Sequence, residues 1–541
     1  MLFKWSSFAT YTRLYRCQTR YGSSSLRHKR SPEARVFGLL EHFKKTSRRS
    51  DISDPTHPSS VTILEISELL RDFSAAKGKC ITTEEIRNGY QIIKPFLPEN
   101  ISRREQHLLS NVEILGTTHN GDGLAVIPKS MYAFGYADSE SLMGSYTVLV
   151  IPKTTTGDRV KILLKMHHEF YAEAELISVL NSDSRQTKRN DALILCEHFH
   201  ECNGCQLQML SYEEQLKFKQ NVIRKAYRYF YPQLEMDQDF GSVVGSPLQY
   251  AYRTKLTPHF SMSQGKCFQI GFQHVANRGK VDVEQCPIAT REINAKLRAA
   301  REKYLGNAPM KQLTLRQSLY LDHKTGEFYP TALEGQKKVI TERIEDFVYQ
   351  FESNCFFQNN NSILSSVLDF IRYEARQLST PIVNLVDTYC GVGFFGIALS
   401  QMQPNLNVFG IEVSEMSIKY AQHNAKLNGL DPQKVQFILG DASDIFNHEA
   451  LRESKISGRD SVVIVDPSRK GSDEAFMSQL LEFNPAMIVY VSCNVFTQAR
   501  DLAMFEKLQG VDKRYTVDKV FGFDFFPQTK HIESVAIIKR I

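Results

Sequence analysis

Two residues late in the chain carry chemistry that the rest must position. Cys493 follows the apolar run Met487–Val491 in a small polar triplet, Ser492-Cys493-Asn494, and a helical pattern resumes at Phe496. A strand that stops on such a triplet sets its last side chains at the carboxyl edge of a sheet, where open α/β folds bind ligands. Glu533 opens the apolar stretch Val535–Ile538, an odd place for a carboxylate without a role, although a surface glutamate at a strand edge is the plainer explanation. Together they could run an addition followed by an elimination. Carbon 5 of a pyrimidine is a poor nucleophile until a thiolate adds to C6. It can then take a methyl group, and a base must remove the C5 proton before the thiolate leaves. His531 competes with Glu533 for the base. An ordinary cysteine, with a pKa of ~8.5, is mostly protonated at neutral pH, so Cys493 needs activation, and the helix beginning near Phe496 is the expected source.

A methyl donor would have to sit at the same edge. Gly391-Val-Gly-Phe-Phe-Gly396 follows the strand Ile382–Asp387, and Glu412 ends the next strand. A glycine loop between strand and helix, with an acid on the second strand, fits NAD, FAD or S-adenosylmethionine alike. Two features favour the methyl donor. Asp387 precedes the glycines, where an acid suits a cationic amino-acid moiety, and Asp441 ends a third strand, where it could receive an adenine amino group. A dehydrogenase has no evident need for Asp466-Pro-Ser-Arg469 followed by Ser492-Cys-Asn494. The strands Ile382–Asp387, Val408–Glu412, Val435–Leu439, Ser461–Asp466 and Met487–Val491, with helices between them, predict a doubly wound α/β domain over residues 351–541.

The preceding segments must hold that domain and its substrate. The chain has 541 residues, 42% hydrophobic and 23% charged, with a net charge of +6, which describes a globular protein with a mild leaning toward polyanions. No apolar run approaches the ~20 residues of a membrane helix, and no obligate protein partner is evident. Residues 1–50 are rich in Arg, Lys and Ser and opposed only by Glu33 and Glu41. Such a leader reads as an organelle transit peptide, hence a mitochondrial location, or else as a basic arm on RNA in a cytoplasmic or nuclear protein. Residues 51–105 read as a helical linker, with Ile63, Ile66, Leu69, Leu70 and Phe73 at helical spacing. Short strands with Gly/Asn/Asp turns over 106–190 predict a small OB-type β-barrel, a nucleic-acid binder or an inert spacer.

Residues 191–350 read as a central α+β domain. Cys196, Cys202 and Cys205 have the spacing C-x5-C-x2-C, and Cys286, followed by Pro287, is the best fourth ligand for an iron–sulfur cluster. His198 and His200 would favour zinc instead, and ordinary buried cysteines are the bland alternative. Lys217, Lys219, Arg224, Lys225 and Arg228 interleave with aromatics on one helix, as an RNA-facing surface would, though a solvated amphipathic helix is commoner. Arg253 and Lys255 are candidates for phosphate contacts.

From about Asn111 to the C-terminus the chain resembles the RNA (uracil-5-)-methyltransferase family, and within it the fungal tRNA members. Ser492-Cys-Asn-Val495 is similar to that family's Ser-Cys-Asn-Pro, and Asp466-Pro-Ser-Arg-Lys-Gly471 to its Asp-Pro-Pro-Arg-x-Gly. Phe356-Phe-Gln-Asn-Asn360 resembles Phe-x-Gln-x-Asn, and Asp387-Thr-Tyr-Cys-Gly-Val-Gly393 resembles the donor loop. The resemblance implies Cys493 as nucleophile and Glu533 as base. It also implies Gln358, Tyr389, Glu412, Asp441 and Asp466 at the S-adenosylmethionine site. It implies a TRAM-type barrel at Val112–Ile177 and a [4Fe–4S] cluster on Cys196, Cys202, Cys205 and Cys286. The implied substrate is RNA, the T-loop uridine of tRNA before a ribosomal RNA site, with a tRNA-binding folding role as the reading of another class. Val495 and Ser468 stand where the family has prolines that stiffen turns.

Overall fold

The computed structural model describes residues 54–56, 60–78, 81, 108–128, 131, 146–168, 170–180, 187–276, 279–307, 313–441, 445–446 and 449–541. The basic leader lies outside these residues. Among the described residues, no helix is long and apolar enough to cross a membrane.

The first described helix, α1 (Ser60–Lys77), carries the apolar positions that the spacing predicts. It is more than a linker. Ile66 and Leu70 are buried against the barrel strands, while Val61 is buried against the C-terminal core. Six strands follow: β1 (Leu108–Glu113), β2 (Gly116–Thr117), β3 (Gly123–Pro128), β4 (Tyr146–Ile151), β5 (Arg159–His167) and β6 (Tyr171–Val179), in the order β1-β5-β6-β4-β3-β2. The chain from Leu108 to Thr117 pairs with β5 at one end and β3 at the other, so the sheet returns on itself as a small barrel around Leu109, Val112, Leu149, Ile151, Val160 and Ile162.

Helix α2 (Tyr212–Phe230) is capped by Ser211, whose side chain accepts from the Glu214 amide. Val222, Ile223, Ala226 and Tyr227 are buried in the core of the C-terminal domain. Its five basic residues point to partners within the protein. Lys219 is fully buried on Asp524, Lys225 meets Glu65 at 2.9 Å, and Arg228 meets Glu68 at 2.6 Å. Arg224 donates to the carbonyls of Asp237 and Phe240, and Lys217 pairs with Glu213 and Glu214. The helix is amphipathic, and its cations tie it to α1 through Lys225 and Arg228 and to the C-terminal domain through Lys219. The short strand β7 (Val243–Val244) extends the C-terminal sheet, so residues from 212 onward contribute to a fold that the sequence pattern begins at 351. Between them lie the sheets β11-β10-β9 and β13-β12-β8 (β8 Lys255–Leu256, β9 His259–Ser263, β10 Lys266–Gln273, β11 Lys280–Asp282, β12 Leu315–Leu321, β13 Phe328–Glu334), the helix α3 (Arg291–Tyr304), and the hairpin β14 (Val339–Ile344) with β15 (Phe347–Glu352).

The C-terminal sheet has the order β18-β17-β16-β19-β20-β22-β21-β7. Its strands are β16 (Asn384–Thr388), β17 (Asn407–Glu412), β18 (Val435–Leu439), β19 (Ser461–Val465), β20 (Met487–Ser492), β21 (Tyr515–Phe523) and β22 (Glu533–Arg540). Neighbours from β18 to β20 run parallel, and β22 runs antiparallel to β20. Alternate residues enter two cores. Leu385, Val408, Val462, Ile464 and Val489 face one, and Val386, Phe409, Val463, Val465 and Tyr490 the other. Strands buried on both faces read as unbroken apolar runs, which is why they are visible in the sequence.

Candidate active site

The parallel strands all end at one edge, and the antiparallel β22 begins there. Ser492 pairs with Ser534, so Cys493 and Glu533 are the next residues outward on adjacent strands. Tight local bonds fix the cysteine turn. The Asn494 amide donates to Ser492 Oγ at 3.1 Å, and Ser492 Oγ donates to the Asn494 carbonyl at 3.0 Å. Asn494 then caps helix α4 (Val495–Gln509), accepting from the Phe496 amide. Val495 is the first residue of that helix, a position where proline is favoured because its N–H has no intrahelical partner. Valine fills it and buries its side chain in the core.

Burial pushes the Cys493 thiol up to about 12, with Glu533 and Asp466 adding to the rise. The opposing group is Arg469, which hydrogen-bonds the cysteine and lowers its pKa electrostatically. Besides the helix that starts at Val495, the cysteine thus has a specific cation beside it. Asn494 Nδ2 donates to the Arg469 carbonyl at 3.1 Å, tying the Asp466–Gly471 loop to the cysteine turn. Arg469 lies inside the Asp466–Gly471 motif, and nothing along the chain connects it to a residue 24 positions later.

The two candidate bases separate clearly. Burial, then Lys530, Arg469, Lys219 and Arg253, push His531 down to about 3. Glu533 is buried and held well above the usual carboxylate range, chiefly by desolvation and then by Asp466. A group of such low proton affinity as His531 is a poor acceptor, whereas a carboxylate of raised proton affinity is a good one once ionised.

The glycine loop forms the donor side. Gly391 and Gly393 have φ of +54° and +88°, and a Cβ on Gly393 would come within 2.9 Å of the Phe437 ring. Asp387 accepts from the Gly396 amide at 2.8 Å through one carboxylate oxygen, while its other oxygen is buried with no partner. Burial raises Asp387 to about 8, with Asp466 and Glu412 contributing, and raises Asp466 to about 7. Glu412 accepts from the Gly391 and Ser414 amides. Tyr389, at φ +61°, packs on Phe476 and lies within electrostatic range of Asp441, an exposed residue just past β18. Gln358 is nearly buried next to Phe357, whose ring meets Phe394 at 5.8 Å in the first turn after the glycines. The edge therefore brings Asp387, Glu412 and Asp466 together, with Tyr389 and Asp441 beside them and Gln358 on the segment packed against the turn after the glycines. Acids with an unpaired buried oxygen among them fit a ligand with cationic groups, such as the sulfonium and ammonium of S-adenosylmethionine, and repel a dinucleotide's pyrophosphate.

The cysteine motif is a separate region. Cys286 is pushed up to about 12 by burial, then by Cys205, Cys196 and Cys202, so the four thiols do converge. Among the described residues no group of three or more His, Cys, Asp or Glu side chains is arranged to hold a metal ion. Lys153 from the barrel is buried here, donating to the Cys202 and Cys205 carbonyls and lying 4.4 Å from the Phe199 ring. Of the residues expected at phosphates, Arg253 Nε donates to the Lys255 carbonyl at 2.9 Å. Burial, with Arg316 nearby, pushes Lys255 down to about 8.

Strand order 3-2-1-4-5-7-6 in the main sheet, with the seventh strand antiparallel and a glycine loop after the first, defines a class I S-adenosylmethionine-dependent methyltransferase fold. The sequence comparisons narrow this. The family model "tRNA (Uracil-5-)-methyltransferase" matches residues 331–541. A curated Schizosaccharomyces pombe protein, tRNA (uracil(54)-C(5))-methyltransferase, is 36% identical over 90% of this chain and 91% of its own. Its Saccharomyces cerevisiae namesake is 31% identical over 90% of this chain and 82% of its own. The chain belongs to the tRNA (uracil-5-)-methyltransferase family. The crystal structure of Pyrococcus abyssi tRNA (uracil-54, C5)-methyltransferase with S-adenosyl-L-homocysteine shares the fold, with a TM-score of 0.53 and 23% identity over 80% of this chain and 100% of that one.

Proposed function

We propose that this protein methylates carbon 5 of a uridine in tRNA, at position 54 as the names of its relatives specify, through a covalent adduct between Cys493 and C6. The observation that carries the reading is the departure of Cys493 and Glu533 from adjacent strands at the acid-lined edge beside the glycine loop.

S-adenosylmethionine, when bound by Gln358, Tyr389, Asp387, Glu412, Asp441 and Asp466, supplies an electrophilic methyl group. The chain's residues do the rest. Arg469 stabilises the Cys493 thiolate, whose sulfur bonds to C6 and makes C5 nucleophilic. After C5 has gained its methyl, Glu533 takes the C5 proton, the C6–S bond breaks, and the thiolate is restored. No step passes through the four-cysteine region. A [4Fe–4S] cluster there is supported by the convergence of the thiols alone, and iron analysis of anaerobically purified protein tests it. The basic leader supports a mitochondrial location, tested by 5-methyluridine mapping in mitochondrial and cytosolic tRNA from a deletion strain.

Tritium release from [5-³H]uridine tRNA tests the reaction. Wild-type protein releases tritium in a donor-dependent way; release by Cys493→Ala protein would refute the mechanism.

A further inference from the structure

The segment that delivers the base, residues 524–532 between β21 and β22, is held by residues outside the glycine-loop half of the fold. Asp524 accepts from Tyr212 at 2.9 Å and from the fully buried Lys219, both on α2. The Phe525 carbonyl accepts from Asn360 at 3.1 Å and the Pro527 carbonyl from the Tyr252 hydroxyl at 3.0 Å. The densest attachment is at Gln528. Its amide donates to Gln215 Oε1 at 2.9 Å, and its side-chain oxygen accepts from Gln215 Nε2 at 2.9 Å. Its carbonyl accepts from the amides of Gln206 and Leu207, both at 3.0 Å. Gln206 Oε1 accepts from the Lys530 amide at 3.1 Å.

Gln528 has φ +70°, in the left-handed region that a non-glycine residue avoids. Such a conformation persists only where the surroundings over-determine it. Here four hydrogen bonds do so, sending the N–H of Gln528 to Gln215 and its C=O to the segment that follows Cys205. Gln206, Gln215 and Gln528 are all buried, so an unlatched clamp would leave amides without partners and the loop would relax to a lower-energy turn. Glu533 lies five residues beyond Gln528 as the first residue of β22; β20 pairs from Ser534 onward, and Glu533 itself pairs only with Phe523 of β21, the residue from which the clamped segment departs. Cys493 sits on a different strand that the clamp does not touch.

We infer that Gln215 and Gln206 are positioning residues for Glu533: they latch the strained Gln528 turn and so set where the base meets the C5 proton. The inference rests on the methyltransferase reading above. It assigns the clamp to one half-reaction, because its loss displaces the base and leaves the nucleophile in place. A displacement of ~1 Å in a catalytic group lowers a rate by as much as ~100-fold.

The test uses full-length protein with Gln215→Ala, with Gln215→Glu, which keeps an acceptor for the Gln528 amide, and with Gln528→Gly, which removes both the side-chain bond and the strain. Tritium release from [5-³H]uridine tRNA and the covalent protein–RNA adduct on denaturing gels are followed together in single turnover. Gln215→Ala and Gln528→Gly are expected to slow tritium release ~10- to 100-fold while the adduct accumulates, with adduct formation at the wild-type rate. Gln215→Glu is expected to recover part of the release. Release within about twofold of wild type in both Gln215→Ala and Gln528→Gly, or adduct formation falling in parallel with release, would overturn the clamp. Wild-type protein that forms adduct but releases no tritium, or neither, would instead refute the reading beneath it.

Discussion

Among the described residues, Cys493 and the four-cysteine group differ in what their cations touch. At Cys493 the guanidinium of Arg469 bonds the cysteine itself, and the other neighbours are carboxylates, Glu533 and Asp466. At Cys196, Cys202, Cys205 and Cys286 the thiols face one another, and the Lys153 ammonium is spent on the carbonyls of Cys202 and Cys205. Burial raises thiol pKa values in both places. Lys153 lowers the thiols of Cys196, Cys202 and Cys205 through its charge alone, whereas at Cys493 the cation hydrogen-bonds the sulfur and a carboxylate stands beside it, which is what a nucleophile that must later be eliminated requires. Residue type is the same in both regions; the partners decide the chemistry.

The largest separation between the two regions comes from removing the sulfur. Cys493→Ala should abolish both adduct and tritium release, and residual adduct would move the nucleophile elsewhere. Glu533→Gln should keep adduct formation and slow turnover by ~10²- to 10⁴-fold, the usual contribution of a positioned base; denaturing gels that show no adduct, with RNA still bound, would count against a purely late role. Arg469→Ala should slow adduct formation ~10- to 100-fold, as loss of a hydrogen bond to a charged group of ~1.5–3 kcal/mol implies. An unchanged rate would mean that the contrast with Lys153 is illusory.

Donor binding supplies a pH signature. Asp387 and Asp466 are raised to about 8 and about 7, so in the free protein they hold protons that the unfolded chain has already lost. Their raised values therefore make the free protein lose stability as pH rises from the ordinary carboxylate range through about 7 and then about 8. A cationic donor prefers the carboxylates ionised, so its binding should release protons and tighten with rising pH toward 8, by at most about tenfold per unit for each proton released. Calorimetry in buffers of different ionisation enthalpy measures this; uptake of protons on binding would contradict it. The smallest effect belongs to the second region. Lys153→Met should lower stability by ~1–3 kcal/mol through two carbonyls left without their donor, without changing the rate at which folded protein forms adduct.

Much of the site was legible along the chain because a doubly wound sheet writes it there. Strands buried on both faces are unbroken apolar runs, and the residue that ends each run lies at the ligand edge, so Asp387, Glu412, Asp466 and Cys493 could be placed by counting. The glycine loop follows from backbone that must take positive φ. Gln358 and Tyr389 were legible only through resemblance, since an isolated glutamine or tyrosine carries no pattern of its own.

What the sequence determined by itself, then, is the succession of the five parallel strands along the chain, the edge they share and the thiol and carboxylate that leave it. Tertiary structure alone decided the rest. It brought Arg469 onto Cys493, and it surrounded His531 with four cations while raising the proton affinity of Glu533. It turned the basic residues of α2 inward onto Glu65, Glu68 and Asp524. It latched Gln528 to Gln215 and Gln206 across more than three hundred residues of chain. The reason is physical: periodicity records which face of an element is buried, whereas proton affinity and backbone strain depend on charges and donors that come from other elements, at distances along the chain that no local pattern can encode.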